Sequence, residues 1–165
     1  MTISTVPMDT PIGRLVLEGE GDVLIGIRLP NDPTPGGDAA AATPVLKKTA
    51  LQLAEYFAGE RTGFDVPMEL DGTEFQRQVW AELSRIPYGQ TISYGELALR
   101  VGRPRAPRAV GQANGRNPIP IIVPCHRVLA GNGLGGYGGG LPVKRALLAL
   151  EGAVWPDPCP VPPPS

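Results

Sequence analysis

The stretch "SYGELALRVGRPRAPRAVGQANG", Ser93 to Gly115, decides how the chain folds. It opens on Ser93 with Glu96 three residues later, the pattern of a capping box that starts a helix. Leu97, Ala98 and Val101 give that helix an apolar side, and Gly102 ends it. A second helix restarts near Pro107, since proline at a first helical position gives up no hydrogen bond. It is made of Ala106, Ala109, Gly111, Ala113 and Gly115, with Arg105 and Arg108 beside them. Two short helices joined by a glycine-containing turn are the outline of a helix-turn-helix. Small side chains would let the second helix approach a groove, and the arginines would supply contacts to phosphates or bases. Two core helices sharing a small-residue packing face fit the same residues, and the segment alone does not choose between them.

Charge favours the first reading. The formal net charge of −1 hides a division along the chain. Residues 1–75 hold 5 Lys/Arg against 12 Asp/Glu, residues 76–145 hold 10 against 2, and residues 146–165 hold none against 2. A basic half beside an acidic half suits a protein whose one lobe meets phosphates while the other stays clear of them. A solvated basic face without a partner would give the same division. The chain has 165 residues, 42% hydrophobic and 19% charged, and no run approaches the ~20 apolar residues that span a bilayer, so no membrane partner is expected. The opening "MTISTVPMDT" lacks a basic segment followed by an apolar run, which reads as a cytoplasmic, reducing location without disulfides.

Outward from Ser93, "TEFQ" at Thr73 is another capping box, opening a helix with Phe75, Val79, Leu83 and Ile86 on its buried stripe and "PYG" at its end. Before it, "TISTVPM", "RLVLEG" and "VLIGIRL" read as three short strands separated by "DTPIG" and "GEGD" turns, an antiparallel meander. The loop Pro30 to Pro44 follows. Thr43 then caps a helix with Pro44 at its first position and Ala50, Leu53, Ala54 and Phe57 at helical spacing, stopped by Gly59 and expected to cover the sheet. Downstream, "RNPIPIIVP" reads as an extended run, Gly131 to Gly140 as a glycine-rich loop, and Pro142 to Glu151 as a last helix capped by Gly152. The tail "WPDPCPVPPPS" reads as disordered, with Cys159 a bystander. These elements divide into residues 1–72, 73–154 and a tail of 155–165.

The chemistry gathers in "IIVPCHRVLAGNG", Ile121 to Gly133, which holds the only histidine beside one of two cysteines. A lone cysteine after an apolar run is ordinarily packing. A nucleophile instead needs its thiolate, favoured by an imidazolium, a guanidinium or a helix N-terminus, and His126 and Arg127 are both at hand. Neighbouring side chains on an extended chain point to opposite sides, so a water would have to bridge Cys125 and His126. Among the scarce carboxylates nearby, Glu151 at a helix C-terminus gains nothing from the helix dipole, and a protonated histidine partner would explain its position. An exposed surface glutamate would explain it equally. "GNGLGG", Gly131 to Gly136, formally fits a dinucleotide fingerprint, but a helix does not follow at once. One histidine and two distant cysteines make no metal site, and no cofactor is expected.

Taken together, "SYGELA", "RAVGQANGRNP", "PCHRV", "GGYGGG" and "LLALEG" resemble the O6-alkylguanine-DNA alkyltransferases, motif by motif over residues 73–152 and more loosely toward the N-terminus. The resemblance implies an α+β fold: a ribonuclease H-like N-terminal domain, a small antiparallel sheet with a covering helix, then a helical domain with a winged-helix-like helix-turn-helix. It implies a protein that flips O6-alkylguanine, and less readily O4-alkylthymine, out of double-stranded DNA and moves the alkyl group to its own cysteine once. By position, Cys125 resembles the alkyl acceptor, His126 the water-mediated base and Glu151 the carboxylate that holds it. Asn117 resembles the family's hinge, Tyr94 the tyrosine that promotes flipping, and Arg108 the finger that fills the vacated stack. Arg105, Ala109 and Lys144 fall among the DNA contacts, with Lys144 near that tyrosine, and Val128, Tyr137 and Gly138 fall on the base pocket. The chain lacks the zinc ligands that some relatives carry. A monomer is expected, with room for cooperative loading on DNA. Two rivals remain: a DNA-binding regulator whose cysteine is structural or redox-sensing, and a cysteine hydrolase.

Overall fold

In a computed structural model, residues 3–32, 42–130 and 133–153 are described. The centre of the Pro30 to Pro44 loop, Gly131, Asn132 and the proline-rich tail with Cys159 lie outside the described residues.

Three strands form where alternating apolar residues meet turn sequences: β1 (Ile3–Thr10), β2 (Gly13–Glu20) and β3 (Val23–Arg28). They pair antiparallel in the order β1-β2-β3, with Val6 opposite Leu17 and Leu17 opposite Ile27. The helix α1 (Pro44–Phe57) lies over the sheet and buries Val45, Leu46, Thr49, Gln52, Leu53 and Tyr56. The expected face is therefore rotated. Leu53 belongs to it, but Ala54 is exposed and Ala50 only half-buried, because the bulkier Leu46 and Tyr56 set which side turns inward. Nor does Thr43 cap by hydrogen bond; its hydroxyl is buried without a partner among the described residues.

The second half begins with α2 (Glu74–Leu83), whose capping box is complete: Thr73 Oγ1 accepts from the Gln76 amide and Gln76 Oε1 from the Thr73 amide, each at 3.0 Å. Val79, Trp80, Leu83 and Ile86 are buried, and Phe75 only partly. The strand β4 (Ile92–Ser93) leads into α3 (Tyr94–Arg100), where Ser93 Oγ accepts from the Glu96 amide at 3.0 Å. Glu96 turns its carboxylate to Arg100 at 3.4 Å, so only half of this second box forms. After a turn at Gly102, with φ of 74°, comes α4 (Pro107–Gly115), packed on both α2 and α3. The helix-turn-helix is thus present, and Trp80 Nε1 fixes α2 to it by donating to the Ala113 carbonyl at 2.8 Å. β5 (Val128–Leu129) pairs parallel with β4, and α5 (Leu141–Leu150) is the last described element, ending ahead of Gly152, at φ 69°. One continuous core runs from Leu15 and Leu17 of the sheet through Tyr56 to Val110 and Val123, so the halves share an interior. No described helix is long and apolar enough to cross a membrane.

Candidate active site

The chain between α4 and β5 is not the extended run its sequence suggests. Asn117 organises it from one end: its Oδ1 accepts from the Ile119 amide at 2.9 Å and its Nδ2 donates to the Val123 carbonyl at 2.7 Å. The Val123 amide donates back to the Ile119 carbonyl at 3.0 Å, closing a tight loop. Ile121 at its apex takes φ of 76°, left-handed backbone that a β-branched residue adopts only where packing compels it. That side chain is 1% exposed, so burial in the core holds the conformation. Cys125 to Arg127 then form one turn of 3-10 helix, and their three side chains leave in different directions.

The Cys125 side chain reaches a cavity of about 260 Å³, small beside the ~300–1,000 Å³ typical of drug-sized ligands and suited to a group of nucleobase size. Tyr94 at the start of α3, Gly111, Asn114 and Gly115 of α4, Asn117, and Tyr137 with its flanking glycines supply the walls. Leu29, just past β3, completes them, and Asn31 Nδ2 donates to the Gly138 carbonyl at 2.7 Å, so the N-terminal half shapes the rim. Glycine is required at 135, where φ is +72° and a Cβ would come within 3.1 Å of the Tyr94 ring. The residue Cys125 is only 5% exposed. Burial pushes its thiol up, opposed by Asn117, by the Lys144 charge and by Tyr137. The resting residue is therefore a thiol, not the thiolate that its cationic neighbours in sequence suggest, and its proton must leave as the reaction proceeds.

Behind the cysteine, His126 is fully buried. Its Nε2 lies 2.8 Å from Glu151 Oε2, and Nδ1 has no partner among the described residues. Burial lowers the histidine pKa, more than Glu151 and its charge restore, so the ring is neutral with Nε2–H donated to the carboxylate and Nδ1 open as an acceptor. A protonated histidine is thus not what holds Glu151. Arg127 does so: Nε donates to Oε1 at 2.7 Å and Nη2 to Oε2 at 2.9 Å, while Nη1 donates to the Ile86 carbonyl at 2.7 Å. Tyr56 of α1 adds a fourth donor, its hydroxyl 2.6 Å from Oε2. Burial opposes ionisation of Glu151, but the His126 and Arg127 hydrogen bonds outweigh it and bring its pKa down to about 2.

Lys144, placed among the DNA contacts by the resemblance, is turned inward. It is 0% exposed, and its Nζ donates to the carbonyls of Val128 at 2.7 Å, Leu134 at 2.5 Å and Gly136 at 3.1 Å. Burial lowers its pKa to about 8. It pins the glycine-rich loop beside the cysteine from within. Val128 is buried in β5 and does not line the cavity, whereas Tyr137 and Gly138 do. Tyr137 Oη has no nitrogen or oxygen partner among the described residues, and burial beside Cys125 raises its pKa well above the ordinary value. Arg105, Arg108 and Ala109 stand exposed at the start of α4, and neither arginine pairs with a carboxylate among the described residues. Two contributors went unread in the sequence. Tyr56 carried only a helical-period signal, and Asn114 sat in a helix marked by its small residues.

Fold and site together define a class, the thiol transferases built on a helix-turn-helix. Residues 74–153 match the 6-O-methylguanine DNA methyltransferase DNA-binding domain, and residues 5–70 match the ribonuclease-like domain of the same family. The chain belongs to that family. It is 51% identical over 155 residues to a methylated-DNA–protein-cysteine methyltransferase of Mycobacterium tuberculosis, covering 87% of this chain and 89% of that one. The constitutive enzyme of the same name from Bacillus subtilis is 44% identical over 151 residues, covering 87% and 92%. A crystal structure of the M. tuberculosis O6-methylguanine methyltransferase superposes with a TM-score of 0.83 at 48% identity, covering 92% of this chain and 93% of that one. The M. tuberculosis OGT in complex with DNA gives the same score at 50% identity, covering 90% and 92%.

Proposed function

We propose that the protein repairs O6-alkylguanine in double-stranded DNA by moving the alkyl group to Cys125, once per molecule. The carrying observation is a buried thiol opening into a base-sized cavity with a neutral histidine behind it, held by a carboxylate that is itself neutralised by an arginine. The family and its DNA-bound relative support the substrate class.

The residues give the following sequence of events. DNA docks on α4, where exposed Arg105 and Arg108 face solvent and Ala109 allows close approach. Arg108 enters the stack as the damaged base leaves it, which offsets part of a cost of a few kcal/mol. The base enters the cavity past Tyr94. His126 Nδ1 takes the Cys125 proton through a bridging water, and its Nε2–H bond to Glu151 fixes the tautomer that leaves Nδ1 free. The sulfur attacks the alkyl carbon; the carbon–sulfur bond forms as the carbon–O6 bond breaks, and the electron pair returns to the ring. The Tyr94 hydroxyl supplies a proton to the departing guanine, and the proton held on His126 returns through water to the Tyr94 phenolate, so the thiol proton ends on the base. The Lys144 charge, desolvated nearby, favours the thiolate during transfer. No group in the cavity can hydrolyse a thioether, so the product is terminal. DNA as substrate fits a monomer working in the cytoplasm.

The test is stoichiometry. A duplex carrying O6-methylguanine with a labelled methyl group, in excess, should lose one label per protein molecule and then no more, with ordinary guanine restored. Continued turnover would point to a hydrolase, and binding without transfer to a regulator.

A further inference from the structure

Glu151 Oε2, the oxygen that holds His126, is shared. Three donors reach it: the Tyr56 hydroxyl at 2.6 Å, His126 Nε2 at 2.8 Å and Arg127 Nη2 at 2.9 Å, while Oε1 takes Arg127 Nε alone. A carboxylate offers about four lone-pair sites, so all are used, and the load falls on the oxygen beside the imidazole. Anchoring does not need the tyrosine, because the two-point grip of Arg127 already fixes the carboxylate and supplies its counter-charge. Tyr56 comes instead from α1, in the other half of the chain. Its ring is 0% exposed and packs against Phe57, Phe64 and Tyr88 at centroid distances of 5.2, 5.6 and 6.2 Å. Burial and the Glu151 charge raise its pKa far above the ordinary phenol value, so the hydroxyl donates at every working pH.

A permanent donor at that oxygen draws on the negative charge that would otherwise stabilise an imidazolium. Burial lowers the histidine pKa most, Glu151 raises it, and the Arg127 and Lys144 charges lower it further. The Cys125 thiol and the Tyr137 hydroxyl, both held protonated by burial, complete the ionisable groups of this cluster. From α2, the other helix against this turn, Val79, Trp80 and Leu83 are turned inward, and Glu82 is paired with Arg85 at 2.8 Å. Glu151 is thus the one group among the described residues that favours a charged ring. How much of the Oε2 charge is left to His126 decides the state of the imidazole.

We propose that Tyr56 is a positioning residue for alkyl transfer: by sharing Glu151 Oε2, its hydroxyl holds His126 as the neutral base with Nδ1 open to the thiol proton. The N-terminal half thereby helps to set the reactivity of Cys125. The kinetic consequence rests on the repair reading above; the state of the ring does not.

His126 is the only histidine of the chain, so isotope-labelled imidazole nitrogens report it alone in a nuclear magnetic resonance titration. The full-length protein is compared with Tyr56→Phe, and with a chain carrying 3-fluorotyrosine in place of Tyr56, a stronger donor of nearly the same shape. Tyr56→Phe should move protonation of the ring up by about one pH unit, the size of one charge-assisted hydrogen bond. The fluorinated chain should keep a neutral ring to at least as low a pH as wild type. In single-turnover methyl transfer from an O6-methylguanine duplex, the slowing by Tyr56→Phe should be least at alkaline pH. It should grow to about tenfold as pH falls, the limit set by a one-unit move. A tyrosine that only braces the fold would slow transfer by one factor at every pH and leave the titration of the ring where wild type has it. Either result overturns the inference, as does a fluorinated chain whose ring protonates at a higher pH than wild type. A wild type that leaves Cys125 unmethylated would instead remove the repair reading, and the ring titration would still decide what Tyr56 does to His126.

Discussion

Glu151→Gln is the most informative single change. The wild-type carboxylate is 5% exposed and takes four hydrogen bonds, two from Arg127 and one each from His126 and Tyr56. Burial alone would raise its pKa, but the His126 and Arg127 hydrogen bonds dominate and lower it from 4.5 to about 2. A depression of that size corresponds to about 3 kcal/mol of folding stability, within the range for breaking a buried ion pair. The folded pKa lies below the unfolded one, so this stability is fully present above about pH 4.5 and is lost as pH falls through about 2. Glutamine is close in shape, so packing is kept while the buried guanidinium loses its counter-charge. Urea unfolding of wild type and variant across this pH interval should show a gap of about 3 kcal/mol at neutral pH that closes toward pH 2. A gap below about 1 kcal/mol, or one that ignores pH, would refute the claim that Glu151 is an ionised, charge-paired anchor.

Tyr56→Phe removes one donor to that carboxylate and should cost about 1.5–3 kcal/mol by the same unfolding measurement, although it lies on the opposite half of the chain from Cys125. Because burial lowers the His126 pKa below its ordinary 6.5, single-turnover transfer should not fall as pH drops through that value; a loss centred there would mean an imidazole already free to titrate. Lys144→Met removes a charge that favours the Cys125 thiolate and unpins three loop carbonyls, so transfer should slow by about tenfold or more, read from the same assay. Arg108→Ala should weaken both lesion repair and duplex binding, measured by transfer rate and by gel shift; no effect on either would remove Arg108 from the interface.

The legible parts of the chain were those governed by local rules. Capping residues at Thr73 and Ser93, proline at Pro107 and Pro142, and glycine at Gly59, Gly102 and Gly152 marked helix ends that the structure reproduces within a residue or two. Alternation of apolar residues gave the meander. Cys125 and His126 were legible because so few residues of their kind exist in the basic half, and Glu151 because it is one of few carboxylates in or just beyond it. What escaped depends on contacts across the sequence. Tyr56 reaches Glu151 over 95 positions, a pairing no local pattern encodes. Arg127 is two residues from Cys125, yet a buried carboxylate claims it more strongly than a thiol can. Lysine is so commonly a surface residue that the complete burial of Lys144 overrides every prior from composition. The left-handed Ile121 opposes its own β-branched preference, and only the core around it enforces the turn.

The central claim is that the sulfur of Cys125 ends the reaction carrying the alkyl group. Intact-mass measurement after incubation with an O6-methylguanine duplex, followed by mapping of the peptide that contains Cys125, addresses it directly. One added methyl per chain, on Cys125 and absent from Cys125→Ser, which still binds the duplex, is the expected result. An unmodified Cys125 alongside restored guanine would contradict it.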